Sequence, residues 1–231
     1  MRLLDLFTGT QSVAKVARAL DFDVTTLDID KRCGADICVC ITEWDYTSFP
    51  PGHFDIIWAS PPCQTFSCAR KCNIGKTIQG EVMTHETLQR DLETLGIPLL
   101  RKTEEIIQYF NPMYFFIENP GTGKMKDYIS IPCYKCVVDY CMYGFDYRKR
   151  TNLFSNVKMD LKLCDKSHLI NGKHVMTCLG TTKGGHKGQG GGSSRNSRYA
   201  IPPNLIMHLL QNLIYIRKKN DGNVKIYIST K

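Results

Sequence analysis

Short apolar runs, each ending on turn-forming residues, alternate with stretches of helical period along this chain, and no other feature limits its fold as much. MRLLDLF reads as a first buried strand, followed by the small-residue turn TGTQS. Val13, Val16, Ala17 and Leu20 then recur at helical spacing. DVTTLDID is a second strand that ends in acids, and FDIIWAS is a later one. After an exposed loop over roughly residues 68–90, LGIPLLRKTEEIIQYF has the period of a helix, with Pro98 near its start. MYFFIENP is a further strand stopped by Asn-Pro, and CVVDYCMYG reads as one more. IPPNLIMHLLQNLIYI closes the pattern as an amphipathic helix. Strands alternating with helices over short connections predict an α/β fold built on a doubly wound, mostly parallel sheet.

The 231 residues suffice for one substantial core. A formal charge of +8 favours a polyanionic partner. The first residues lack signal-peptide architecture and no apolar run approaches membrane-spanning length, so an intracellular protein without membrane association is expected. Eleven cysteines in such a chain read as reduced thiols rather than as a disulfide framework.

Three constellations carry chemistry. In the first, a strand leads through FTGT into a helix, and Asp28 ends the next strand. A glycine admits close backbone approach and a carboxylate accepts from both ribose hydroxyls, as in a nucleoside-containing cofactor site. The full dinucleotide fingerprint and a P-loop lysine are both missing, which argues against hydride transfer and nucleotide hydrolysis. In the second, DIIWASPPCQTFS, two prolines halt a strand and present Cys63 at the sheet's carboxyl edge. Its bland reading is a small buried hydrophobe. Its functional reading is a nucleophile in an electropositive setting to which Arg70 and Lys71 contribute. The third is FFIENP, where Glu118 follows apolar residues directly. Glu118 either caps the next turn or is a carboxyl that burial keeps protonated and ready to donate.

DLFTGT, SPPCQTFS and IENPGTG stand in the order and at roughly the spacing seen in the C5-cytosine DNA methyltransferases, and this chain resembles the compact, orphan type of phages and large DNA viruses. VDYCMYGFDYRKRTNLFSN is similar to a later signature of that subgroup. The resemblance implies a Rossmann-like fold that uses S-adenosylmethionine, with double-stranded DNA as partner and a monomer as the expected state. It implies that Cys63 adds to C6 of a flipped-out cytosine while Glu118 holds the N3 edge. Phe7, Thr8, Gly9 and Thr10 match the cofactor loop, and Asp28 with Ile29 the ribose-binding acid and its neighbour. Ile41 and Pro62 match cofactor-lining positions, and Tyr199 and Ile201 in RYAIPPNL lie over the cofactor in the final motif. Of the two base-contacting arginines of the later motif, the first falls on Lys149 and the second on Thr151; Lys149 is the expected contact, with Arg150, one residue along, in second place. Gln11 and Ser12 replace small glycines of the cofactor loop. Cys40 replaces an acid near the adenine, for which Asp36 or Asp45 can compensate.

The resemblance divides the chain into a catalytic part, 1–151 with 198–231, and a very small target-recognition insertion at 152–197. Within the insertion, KGGHKGQGGGSSRNSR is a Gly/Ser/basic loop whose Lys183, His186, Lys187 and Arg195 are expected on phosphates. Gln64, Arg70 and Lys71 are expected near the nucleic acid as well. Cys133, Cys136 and Cys141, with Cys164, His168, His174 and Cys178 downstream, contain enough donors for a zinc ion. No second clean pair follows Cys133-x2-Cys136, so no metal is expected. Two further readings stay open: a cytosine-C5 methyltransferase acting on RNA, and a nucleic-acid-binding protein that has lost catalysis.

Overall fold

The computed structural model describes residues 1–169, 174 and 199–220, with side chains up to 217. Strands β1 (Arg2–Leu6), β2 (Asp23–Asp28), β3 (Ile37–Cys38) and β4 (Ile56–Ala59) are parallel neighbours in the order β3-β2-β1-β4. A small antiparallel hairpin, β5 (Thr77–Ile78) and β6 (Glu81–Val82), stands apart. Strand β7 (Tyr114–Pro120) continues the parallel sheet beside β4. Beyond it lie β8 (Tyr134–Asp139) and β9 (Arg150–Ser155), with β9 inserted between β7 and β8 and antiparallel to both. The result is a doubly wound, mostly parallel α/β sheet of seven strands with one reversed.

Both faces of the central strands are covered, which is why their sequences are continuous apolar runs rather than alternating ones. Leu3, Ile56, Trp58 and Phe116 point to one face, where helices α1 (Ser12–Ala19) and α4 (Pro203–Asn220) supply Val13, Ala17, Leu205 and Leu209. Leu4, Leu6, Ile57, Phe115 and Ile117 point to the other and meet Leu100, Ile106 and Phe110 of α3 (Ile97–Phe110). Helix α2 (His85–Asp91) runs through a π turn, Leu92–Gly96, into α3. Among the described residues no helix is long and apolar enough to cross a membrane.

Three expectations change. Residues 68–90 are not a bare loop: a 3-10 turn at Cys68–Asn73, the β5–β6 hairpin and most of α2 lie there. The stretch CVVDYCMYG splits, its strand ending at Asp139 and a 3-10 turn at Tyr140–Tyr143 taking Cys141 out of the sheet. The core sheet also runs on through Ser155, past the expected boundary at 151, because Asn152–Ser155 pair with β7 on one side and β8 on the other.

Candidate active site

The carboxyl ends of β1, β2, β4 and β7 open onto one cavity of about 620 Å³. Such an edge is where open α/β sheets bind ligands. After β1 the chain turns sharply: Phe7, Gly9 and Gln11 all take left-handed backbone conformations, at φ 60°, 47° and 56°. Phe7, Thr8, Gly9 and Thr10 thereby line the cavity wall. Asp28, at the end of β2, accepts the Gly9 N–H on Oδ2 at 2.9 Å and the Asp30 N–H on Oδ1 at 2.8 Å. Ile29 beside it lines the same wall while 68% exposed, an apolar surface turned toward solvent. On the far side Tyr199 accepts from the Gln64 amide at 3.3 Å, and the Ile201 N–H donates to Ser12 Oγ at 3.2 Å. Chain ends far apart in sequence thus close one cavity.

Gln11 and Ser12 have clear work to do where the resembled loop carries glycine. The Gln11 side-chain amide donates to the Cys33 and Gly34 carbonyls at 2.6 and 3.0 Å, tying the turn after β1 to the loop after β2. Ser12 receives Ile201.

At the other end of the cavity stand Pro61, Pro62 and Cys63, delivered by β4. Burial pushes the Cys63 thiol above its ordinary value, the neighbouring Glu118 charge adds to the rise, and Lys149 opposes it. Glu118, near the end of β7, is buried, and its Oε1 accepts the Tyr140 hydroxyl at 2.9 Å. Lys149 Nζ lies 3.7 Å from the same oxygen and 4.9 Å from the centre of the Tyr140 ring. Desolvation, with the Glu118 charge behind it, holds the Tyr140 phenol well above its ordinary value, so Tyr140 is a fixed neutral donor to Glu118.

Several expected residues are elsewhere. Ile41 is enclosed in the core with Leu4 and Leu27 and does not line the cavity. Asp36 is taken up by Thr26 and Arg18, and Asp45 by Thr47, so neither lines the cavity. Arg70 pairs with Asp91 at 2.5 Å and Lys71 is exposed on the 3-10 turn; the cation that acts on Cys63 is Lys149, not these sequence neighbours. Arg150 turns away from the cavity and forks onto Asp139 at 3.0 and 2.7 Å, so of the two basic residues weighed, Lys149 alone lines it. Lys183, His186, Lys187, Arg195 and Cys178 lie outside the described residues.

Sequence reasoning passed over Asp5, which also lines the cavity. Full burial raises its carboxyl to about 7 despite a 2.6 Å hydrogen bond from Thr8 Oγ1. It passed over Tyr140 too. The signal for Asp5 was present, a lone acid inside the run LLDLF; for Tyr140 there was none short of the fold.

A profile of the C-5 cytosine-specific DNA methylase family matches residues 25–125. The chain is 42% identical over 225 residues to a probable DNA (cytosine-5)-methyltransferase of Frog virus 3 (isolate Goorha), covering 91% of this chain and 99% of that one. Its fold is shared with the solved methyltransferase EhMeth of Entamoeba histolytica, with a TM-score of 0.56 at 11% identity, over 94% of this chain and 99% of that one. With the viral relative aligned across nearly its whole length and the family match spanning the Cys63 turn and Glu118, this chain belongs to the C-5 cytosine-specific DNA methylases, an enzyme family whose activity is DNA (cytosine-5)-methyl transfer.

Proposed function

We propose that the protein transfers a methyl group from S-adenosylmethionine to C5 of a cytosine swung out of duplex DNA, through a transient bond between Cys63 and C6. The observation that carries this reading is the single cavity with Asp28 and the Phe7–Thr10 turn at one end and Cys63, Glu118 and Lys149 at the other.

The residues present suit the cofactor. Its wall carries three carboxylates, Asp28, Asp30 and Glu118, and the buried Asp5 carboxyl, against two cations, Arg32 and Lys149, which favours a ligand bearing a sulfonium and an ammonium. Asp28 retains acceptor capacity for ribose hydroxyls, and the exposed Ile29 offers an apolar face for a purine. When bound there, the cofactor supplies an electrophilic methyl group.

C5 of cytosine is too weak a nucleophile unaided. Cys63 Sγ passes its proton to the neighbouring Glu118 carboxylate and bonds to C6, and the electron pair of the 5,6 double bond moves onto C5. Glu118 places a proton on N3 as negative charge develops on the ring, with the Tyr140 hydroxyl and Lys149 holding Oε1 in place. Lys149 also favours the thiolate, offsetting part of the burial effect on Cys63. Once C5 carries the methyl group, water takes the C5 proton, N3 returns its proton to Glu118, the double bond re-forms and the Cys63 thiolate is expelled, to be reprotonated from Glu118. The target carbon has to reach Cys63 inside the cavity, which a base stacked in a duplex cannot do.

Tritium transfer from labelled S-adenosylmethionine to duplex DNA and to tRNA, with wild type and Cys63→Ser in parallel, tests the reading. Label is expected in duplex DNA and absent for Cys63→Ser, with cofactor binding by calorimetry retained in the variant. Label in tRNA alone would move the reading to RNA, and absence of both label and cofactor binding in wild type would overturn it.

A further inference from the structure

Cys141, Cys164, His168 and His174, none of which lines the cavity, bring one donor atom each to within 4.8 Å of one another. Cys141 comes from the 3-10 turn after β8; the other three come from the chain leaving β9. Cys164 Sγ and His174 Nε2 are 3.5 Å apart, and the two imidazole rings have centroids 5.1 Å apart. Tetrahedral zinc with thiolate and imidazole ligands sets donor separations of roughly 3.3–3.8 Å. One pair therefore already stands at ligand spacing, and a contraction of about 1 Å brings in the rest.

We propose that these four residues bind a structural zinc ion, a Cys2His2 site separate from the catalytic cavity. The order C-x3-H-x5-H after Cys164 gives three ligands from one short segment, and Cys141 supplies the fourth from a second segment, so the metal crosslinks two parts of the chain. All four ligands come from protein, which is the closed set of a structural site rather than the open one of a catalytic site. Cys133 and Cys136, weighed among the donors in the sequence, are not part of the site: Cys136 is buried in β8 and Cys133 packs on the other core cluster, while Cys141 stands with Cys164, His168 and His174.

The site has a structural task. Leu163 and residues 165–168 are exposed, so apolar burial contributes little to holding this segment. Backbone hydrogen bonds already return it to the β8 turn: the Cys164 N–H donates to Asp139 Oδ2 at 2.9 Å, and the Asp139 N–H to the Lys162 carbonyl at 3.2 Å. A zinc ion would fasten the same junction. Cys141 also follows Tyr140, the donor to Glu118, and the Tyr140 N–H donates to the Lys149 carbonyl at 3.1 Å. The metal would thus hold the turn that carries Tyr140, one contact of Glu118, and that bonds to the backbone of Lys149, the other.

The full chain, purified without a metal-binding tag from zinc-supplemented cells, is analysed for metal by mass spectrometry. About one zinc per chain is expected in wild type and in Cys133→Ser, falling at least tenfold in Cys164→Ser and in His174→Ala. If Cys164→Ser proves insoluble, His174→Ala and a cobalt titration of chelator-treated wild type decide, the latter through the visible bands of tetrahedral cobalt–thiolate. Folded wild type that carries no zinc and develops no such bands would overturn the site. So would zinc retained in both variants, or a Cys141–Cys164 disulfide recovered by peptide mapping of freshly isolated protein.

Discussion

Asp5 has its carboxyl in the fully buried floor of the cavity, held by Thr8 and by the Ala14 N–H, and it cannot be charged there without cost. Its folded value of about 7 lies above the unfolded 3.8, so the fold favours the protonated form. The stability this contributes is fully present below 3.8 and is lost as pH rises through about 7. Asp5→Asn is neutral at every pH and keeps an acceptor for Thr8. Thermal unfolding across that window is therefore expected to show wild type losing ground to Asp5→Asn as pH climbs, by up to about 4 kcal/mol. Parallel melting curves would contradict the assignment. A second residue-scale contrast separates neighbours. Lys149 reaches Glu118 and the cavity, whereas Arg150 clamps an Asp139 whose side chain is fully enclosed. Lys149→Ala is expected to lower the rate of methyl transfer by roughly 10–100-fold with little change in melting temperature. Arg150→Ala leaves Asp139 with Arg148 and the Cys164 N–H, and with an exposed arginine lost the expected cost is about 1–2 kcal/mol of stability. Kinetics and denaturant titration of the two variants side by side test that division.

Between α2 and α3 the helix takes a π turn that ends on Gly96, packed against Thr65 and Phe66 of the turn that follows Cys63. A Cβ built on Gly96 would lie 2.2 Å from Thr65 Oγ1, 3.0 Å from Thr65 Cβ and 3.2 Å from the Phe66 ring. Gly96→Ala must push Thr65 aside, and Thr65 is two residues from Cys63. Overpacking of this kind costs about 1–3 kcal/mol. Gly96→Ala is expected to cut methyl transfer more than it cuts cofactor affinity, with Thr65→Ala in the same chain restoring part of the rate; an unaffected single variant would refute the contact. At this scale the sequence was legible where burial was complete. IIWA and YFFI are apolar without interruption because both faces are covered, and they read as strands at once. RTNLFS did not, since Thr151, Asn152 and Ser155 are polar, yet they are buried between β7, where they stand opposite Pro120, Asn119 and Phe116, and β8. The β5–β6 hairpin has two residues a side and all of them exposed, too short for any period to register. Whether Lys149 or Arg150 enters the cavity turns on which side of the chain each occupies at the start of β9. That is a register question, which a one-residue slip reverses.

Across the whole molecule, charge is sorted by sign. The chain carries +8 overall, while the cavity is lined by more carboxylates than cations, so the excess positive charge lies outside it. One place it collects is 183–198, with Lys183, Lys187, Arg195 and Arg198 and no acid. That division suits the proposed reaction, in which a polyanion is attracted to the surface and a cationic cofactor is held inside. It also separates affinity from chemistry: phosphate contacts position a duplex without reading it, and they act through counterion release. A chain with Lys183, Lys187 and Arg195 all changed to alanine retains Cys63, Glu118, Lys149 and the cavity. If the three side chains each neutralise one phosphate, the slope of log affinity against log salt becomes shallower by about 2–3. Affinity then drops most at low ionic strength, and the sites methylated stay the same. Fluorescence anisotropy on one duplex over a salt series gives the slope, and bisulfite sequencing of methylated DNA gives the sites. An unchanged slope would place the phosphate contacts on other cations of this chain; a shifted site pattern would mean that these three residues read bases rather than phosphates.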